Sequence, residues 1–252
     1  MLDICAEDKC NDTYRRIRMH QALQLKQPDG IHVPDERTVY RVMEEIGICH
    51  KPKRKPKGIT KADRESRKSD DLIKRNFKTD KPLEKCVTDM TKVKCLNGKL
   101  YVSAIFDCFD FTVLGLEMDT NIKATLCKKA LENTYKSHPG IRGCIVHSDR
   151  RTQYTSKLYR NAISKYKIIQ SMNSAGGRCR DNARCESMWT RLKEELLYNR
   201  YNASKMAVET VRTLIWRYFI SYWNNRGICS ANGELPPMVK RRQYYISLRG
   251  AA

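Results

Sequence analysis

The chain has 252 residues, of which 40% are hydrophobic and 31% charged, enough to bury a core in one large domain or two unequal ones. Forty-nine Lys and Arg against twenty-eight Asp and Glu leave a net charge of +21, which points to a polyanionic partner and above all to nucleic acid. No run approaches eighteen apolar residues, no basic-then-apolar leader is visible, and eleven cysteines include no CxxC pair, so the chain reads as cytoplasmic, reduced and without a membrane partner.

In chain order, Tyr14, Ile17, Ala22, Leu23 and Leu25 mark one short helical face. A turn at Pro28–Gly30 follows, and Pro34 and Asp35 open a second helix with Val39, Val42, Met43 and Ile46 at core spacing and Gly47 ending it. Arg37, Thr38 and Arg41 fall on its outer side. The pair over residues 1–50 fits a helix-turn-helix that binds DNA through Arg37 and Arg41, or a plain helical hairpin. Residues 51–57, KPKRKPK, form a basic linker in which Lys53, Arg54 and Lys55 are candidates to track phosphates. A connecting helix is predicted over 60–78, within a connector that runs from 51 to 83.

From residue 84 the pattern becomes that of an α/β domain running to 252. CVTDMTKV at 86–93, LYVSAIFD at 100–107 and TVLGLEM at 112–118 read as strands, the first two joined by a hairpin at Asn97-Gly98. A helix capped by Asn121 and reaching Ser137 is expected next, then a buried strand over GCIVHSD, a helix opened by Thr155 or Ser156, and a fifth strand over KIIQSM. Asp181 is placed to cap a helix over 182–198 and Ser204 to cap the last long one, whose stripe of Val211, Leu214, Ile215, Tyr218, Phe219 and Tyr222 reads as core. Three meandering strands followed by alternating helices and strands give a mixed five-stranded sheet flanked by helices.

Three carboxylates stand out by position: Asp89 inside the first strand, Asp149 at the end of the fourth, and Glu186 on the helix that begins at Asp181. A carboxylate in an apolar strand needs a compensating cation, and strand ends are where α/β sheets bind ligands. Carboxylates suit Mg²⁺, and two such ions clamp the attacking and leaving oxygens of a phosphodiester displacement. Taken singly, Asp149 could equally cap a turn, Glu186 could be a solvated helix residue, and Asp89 could pair with an arginine.

The text around these residues is specific. TDMT at 88–91, GKLYVSAIFD at 98–107, HSDRRTQYTS at 147–156, RCRDNARCESMWTRLKEEL at 178–196 and LPPMVKRRQYY at 235–245 resemble the catalytic domain of bacterial insertion-sequence transposases, and residues 14–57 resemble the helix-turn-helix and basic connector before it. The resemblance implies a retroviral-integrase-like core with an RNase H-like fold. It implies Asp89, Asp149 and Glu186 as the catalytic, metal-holding residues, with Mg²⁺, or Mn²⁺ in its place. The implied reaction is DNA cleavage and strand transfer at element ends. Double-stranded DNA, a homo-oligomer on paired ends, and fusion or partnership with a small upstream helix-turn-helix protein are the implied partners. Asn182, Glu186 and Lys193 share one helical face by spacing, with Cys185, Met188, Leu192 and Leu196 opposite. Lys193 and Asn182 are thereby candidate DNA contacts, and Gln153 and Tyr154 candidates for positioning substrate.

Two departures stand out. Asp149 and Glu186 lie 37 positions apart, one more than the commonest spacing in the family. Arg151 stands where the family usually has glycine, so an arginine there is expected either to strain the backbone or to block the site. A nuclease on the same fold that cuts without joining, and a DNA-binding copy without catalysis, are the competing readings.

Overall fold

Asp35 begins the best-defined N-terminal element by accepting hydrogen bonds from the backbone N–H groups of Arg37 and Thr38. In the computed structural model, which describes residues 1–8, 10–27, 32–49, 68–174, 182–198 and 200–250, three helices come first: α1 (Leu2–Glu7), α2 (Arg16–Leu25) and α3 (Glu36–Glu45). Their shared core holds Ile4, Tyr14, Met19, Ala22, Val39 and Met43, together with Ile228 from the far end of the chain. The expected faces shift slightly: Ile17, Leu25 and Ile46 are exposed, and Met19 fills the centre. The turn at Pro28–Gly30 and the basic run at 51–57 lie outside the described residues.

The connecting helix expected over 60–78 is absent from its described part. Lys74 and Arg75 adopt left-handed backbone angles, which end any helix, and residues 68–72 instead run beside the outer strand of the sheet. There Met172 N–H donates to Asp70 O at 3.1 Å and Leu72 N–H to Ser171 Oγ at 2.9 Å.

The sheet consists of β1 (Lys85–Cys95), β2 (Gly98–Asp107), β3 (Val113–Asp119), β4 (Ile145–Ser148) and β5 (Ile169–Met172). Its order is β3-β2-β1-β4-β5, antiparallel across β3, β2 and β1 and parallel across β1, β4 and β5. Helices α4 (Ala124–Ser137), the single turn α5 (Thr152–Thr155) and α6 (Lys157–Lys165) intervene, with α6 capped by Ser156 as expected. Then follow α7 (Ala183–Leu192), α8 (Val208–Trp216), the short α9 (Asn224–Arg226) and α10 (Pro237–Gly250). α7 and α8 each run on into π-helical turns, over Lys193–Tyr198 and Arg217–Trp223.

One face of the sheet packs on α4 and α6 through Met90, Ile105, Leu126, Leu131 and Ile163. The other packs on α7 and α8 through Phe106, Val102, Trp189, Ile215 and Phe219. The predicted core stripe of the last long helix is thus inside, with Leu214 half-buried at its margin.

Three local expectations change. The hairpin closes on Cys95 and Gly98, so Leu96 and Asn97 are its two turn residues, and Gly98 takes the positive φ of 142°. Asn97 is thereby freed to accept the Val208 N–H at 2.8 Å. It caps α8 from another element, in place of Ser204, which sits in a 3₁₀ turn. α4 begins three residues after Asn121, at a residue with no side-chain cap. Cysteines are free throughout the described residues, and no described helix is long and apolar enough to cross a membrane.

Candidate active site

β1 and β4 are parallel neighbours with Val87 opposite His147. Asp89 and Asp149 each lie two residues beyond that pair, so the register itself sets them side by side, Asp149 just past the carboxyl end of its strand. Asp89 is only 8% exposed. Burial pushes its carboxyl up to about 7 and the charge of Asp149 pushes the same way, while Arg151 and the Trp189 N–H oppose. Burial also raises Asp149, against the pull of Arg151. Two half-desolvated carboxylates in contact distance of one another's field demand a cation.

That cation is the guanidinium of Arg151. Its Nε lies 2.8 Å from Asp149 Oδ2 and its Nη1 3.3 Å from Asp89 Oδ1. Nη1 also donates to Met90 O at 3.3 Å. The remaining oxygens are occupied as well: Asp149 Oδ1 accepts the Arg151 backbone N–H at 3.1 Å, and Asp89 Oδ2 accepts Trp189 Nε1–H at 3.1 Å. Arg151 adopts φ −67° and ψ 152°, an extended conformation open to any residue. The expected strain is therefore absent, and what the arginine does is fill the space between the carboxylates.

Glu186 does not join them. It is exposed on α7 and lines a cleft of about 450 Å³ whose walls include Arg15, Arg18, Arg191 and Glu194. Among the described residues no three His, Cys, Asp or Glu side chains gather as a metal-holding set. The chemistry of the donor pair nevertheless fits a divalent cation: hard carboxylate oxygens from two adjacent strands converge on a single positive charge.

Asn182 is buried rather than surface-facing. Its Nδ2 donates to Thr88 O at 3.2 Å, and its Oδ1 is buried with no hydrogen-bond partner among the described residues. Lys193 is half-buried at the start of the π turn. Gln153 and Tyr154 are both interior: Gln153 Nε2 donates to Ile122 O at 3.1 Å, and Tyr154 is fully enclosed. Arg37 and Arg41 are exposed on α3, while Lys53, Arg54 and Lys55 lie outside the described residues. Cys185, Met188, Leu192 and Leu196 are buried as expected. Trp189 went unremarked in the sequence, although its spacing of seven from Asn182 puts both on the face that meets β1.

The matches to known proteins bear on family and fold. The Integrase core domain family matches residues 79–177. A probable transposase of insertion sequence element IS1353 from Shigella flexneri is 31% identical over 230 residues, covering 90% of this chain and 43% of that protein. This chain thus spans less than half the length of that relative. A transposase-like protein from Haemophilus influenzae is 31% identical over 176 residues, covering 69% of this chain and 78% of that one. In fold, a chain of the simian T-cell lymphotropic virus intasome aligns with a TM-score of 0.54 at 14% identity, over 90% of this chain and 74% of that chain. Five strands in this order, helices on both faces and this neighbourhood of sequences make the chain a member of the bacterial insertion-sequence transposases with an RNase H-like, integrase-type core.

Proposed function

We propose that the chain acts on the DNA ends of an insertion sequence, cutting a phosphodiester and joining the freed 3′-hydroxyl to a second strand. Asp89 and Asp149 are the residues that would hold Mg²⁺ or Mn²⁺, with Glu186 as the third ligand on the strength of its motif. When bound, the ion would activate the nucleophile and stabilise the leaving oxygen. The observation that carries this reading is the convergence of Asp89 and Asp149 on one cation at the carboxyl end of a parallel strand. The chain's own contribution is to fix both carboxylates through β-register and through the Trp189 N–H. Glu186 would have to approach from its cleft on α7.

The basic surface would carry DNA binding, with α2 and α3 as a helix-turn-helix and Arg37, Arg41, Lys53, Arg54, Lys55 and Lys193 on the backbone. Replacing Lys53, Arg54 and Lys55 by Ala is expected to weaken binding to every sequence alike and to lower the salt slope by about 3. Filter or fluorescence titrations at several salt concentrations measure this. Homo-oligomers on paired DNA ends and a small upstream helix-turn-helix partner belong to the same reading.

The decisive experiment is an assay with labelled element ends and Mg²⁺ or Mn²⁺. It compares the Arg151→Gly protein with Arg151→Gly/Asp149→Asn. Cut and joined products are expected from the first, and a loss of about 100-fold or more from the second. Cutting without joining would identify a simple nuclease. The arginine between the carboxylates favours a second reading for the parent chain, in which it binds element ends without cutting them. Binding by the parent that survives Asp149→Ala, with no metal-dependent product, would establish that reading.

A further inference from the structure

The cationic position between Asp89 and Asp149 is filled by the protein itself. The guanidinium engages one oxygen of each carboxylate. Each carboxylate's other oxygen is held by a separate N–H donor, from the Arg151 backbone and from Trp189. The arginine's side chain is 21% exposed, and those of the two aspartates 12% and 20%, so the three charges satisfy one another largely out of water. The backbone at Arg151 is relaxed, so the arrangement needs no strain to persist.

We propose that Arg151 is the resident cation of the Asp89–Asp149 pair and that a divalent ion enters only by displacing it. The inference rests on the reading of Asp89 and Asp149 as ligands. It differs from a general loss of activity, because it predicts competition at one position: one guanidinium or one metal ion, not both. A divalent ion between these carboxylates would lie against the guanidinium, and two cations in contact within a poorly solvated site repel strongly.

Metal binding without catalysis tests this. Mn²⁺ titrations followed by electron paramagnetic resonance, and thermal melts in EDTA, Ca²⁺ or Mn²⁺, would be run on the parent, Arg151→Gly and Arg151→Gly/Asp149→Asn. The parent's melting temperature is expected to respond to the ions only at concentrations about 10-fold or more above those that act on Arg151→Gly. Arg151→Gly is expected to melt lower in EDTA and to recover with added Mn²⁺ or Ca²⁺, with an apparent Kd at least ~10-fold below the parent's. The double variant should lose that recovery. Equal Mn²⁺ affinity in the parent and Arg151→Gly would overturn the proposal and leave the ligand reading standing. No binding by a folded Arg151→Gly would overturn both. Should Arg151→Gly fail to fold without metal, Arg151→Gln takes its place: an Mn²⁺ affinity equal to the parent's would refute the proposal, and an apparent Kd at least ~10-fold below the parent's would support it.

Discussion

Asp89 is held on both sides, by Arg151 at one oxygen and by the indole N–H of Trp189 at the other. Trp189→Phe keeps most of the packing against Phe106 and Phe219 but leaves a buried carboxylate oxygen without its donor. A loss of about 1–3 kcal/mol is expected in denaturant melts. An unchanged midpoint would mean that the bond contributes nothing. At this scale the sequence is legible only in part. Strand position and motif single out Asp89 and Asp149, and β-register then makes them neighbours. That Arg151 departs from the usual glycine is also readable. That its side chain turns back between the carboxylates is not, since side-chain direction depends on the backbone angles after β4 and on what lines the space. Glu186 shows the converse: helical spacing gives its face on α7, but not that this face lines the cleft toward α2.

Elements meet at contacts with little slack. A Cβ on Gly115 of β3 would lie 1.9 Å from Thr134 Oγ1 and 2.6 Å from Ala130 O of α4. Gly115→Ala is expected to cost about 1–3 kcal/mol by forcing strand and helix apart. Adding Thr134→Ala should relieve only part, because the closer obstacle left is backbone. Full recovery in the double variant, measured by denaturant midpoint, would refute that account. α3 carries a pH-sensitive end. Hydrogen bonds from the Thr38 and Arg37 N–H groups hold the Asp35 carboxyl below its ordinary value. A depressed folded-state pKa contributes stability above the unfolded value, about 3.9, and loses it as pH falls through the folded one. Amide protection at Arg37 and Thr38, taken relative to the intrinsic exchange rate at each pH, should fall on acidification in the parent and not in Asp35→Asn, which keeps the cap without the titration. Periodicity found every strand and the helices α2, α3, α4, α6, α7 and α8, but it missed α1 and α10 and placed a helix over 60–78 where the described part has none. It missed helix starts where the cap comes from elsewhere: Asn97 serves α8 across the hairpin, and nothing near Val208 announces it.

The whole molecule is tied at its ends. Tyr14 and Tyr222 meet hydroxyl to hydroxyl at 3.0 Å, Tyr222 donates to Asn11 Oδ1 at 2.8 Å, and Tyr218 donates to Glu195 Oε2 at 2.7 Å. Arg18 of α2 pairs with Glu195 in the same buried group, and Arg15 pairs with Glu194 at 2.9 Å. Arg18→Ala would leave the Glu195 charge, whose side chain is 7% exposed, with only the Tyr218 hydroxyl and Arg191 at 3.9 Å among the described residues, and is expected to cost about 1–3 kcal/mol. Helical content and core fluorescence should then still be lost in one transition. Separate melting of the N-terminal helices in the parent would show that the tie is weak. None of this was legible beforehand. The sequence offers a helical pair, a basic run and an α/β pattern, which read as three consecutive parts, because pairings across some two hundred residues leave no local signal. At the C-terminal end, Arg241 of α10 likewise reaches Asp107 and Asp110 at 2.5 and 2.7 Å.

The buried tyrosines bear on how the chain can be divided. A peptide bond cut anywhere between residues 50 and 67 would separate α1–α3 from the sheet in covalent terms only. The tyrosine cluster, the Arg18–Glu195 pair and the Ile228 contact all lie across that cut. Two fragments produced separately should therefore find one another and co-purify, whereas a core expressed from residue 79 alone would carry Tyr218 and Tyr222 to its surface and tend to aggregate.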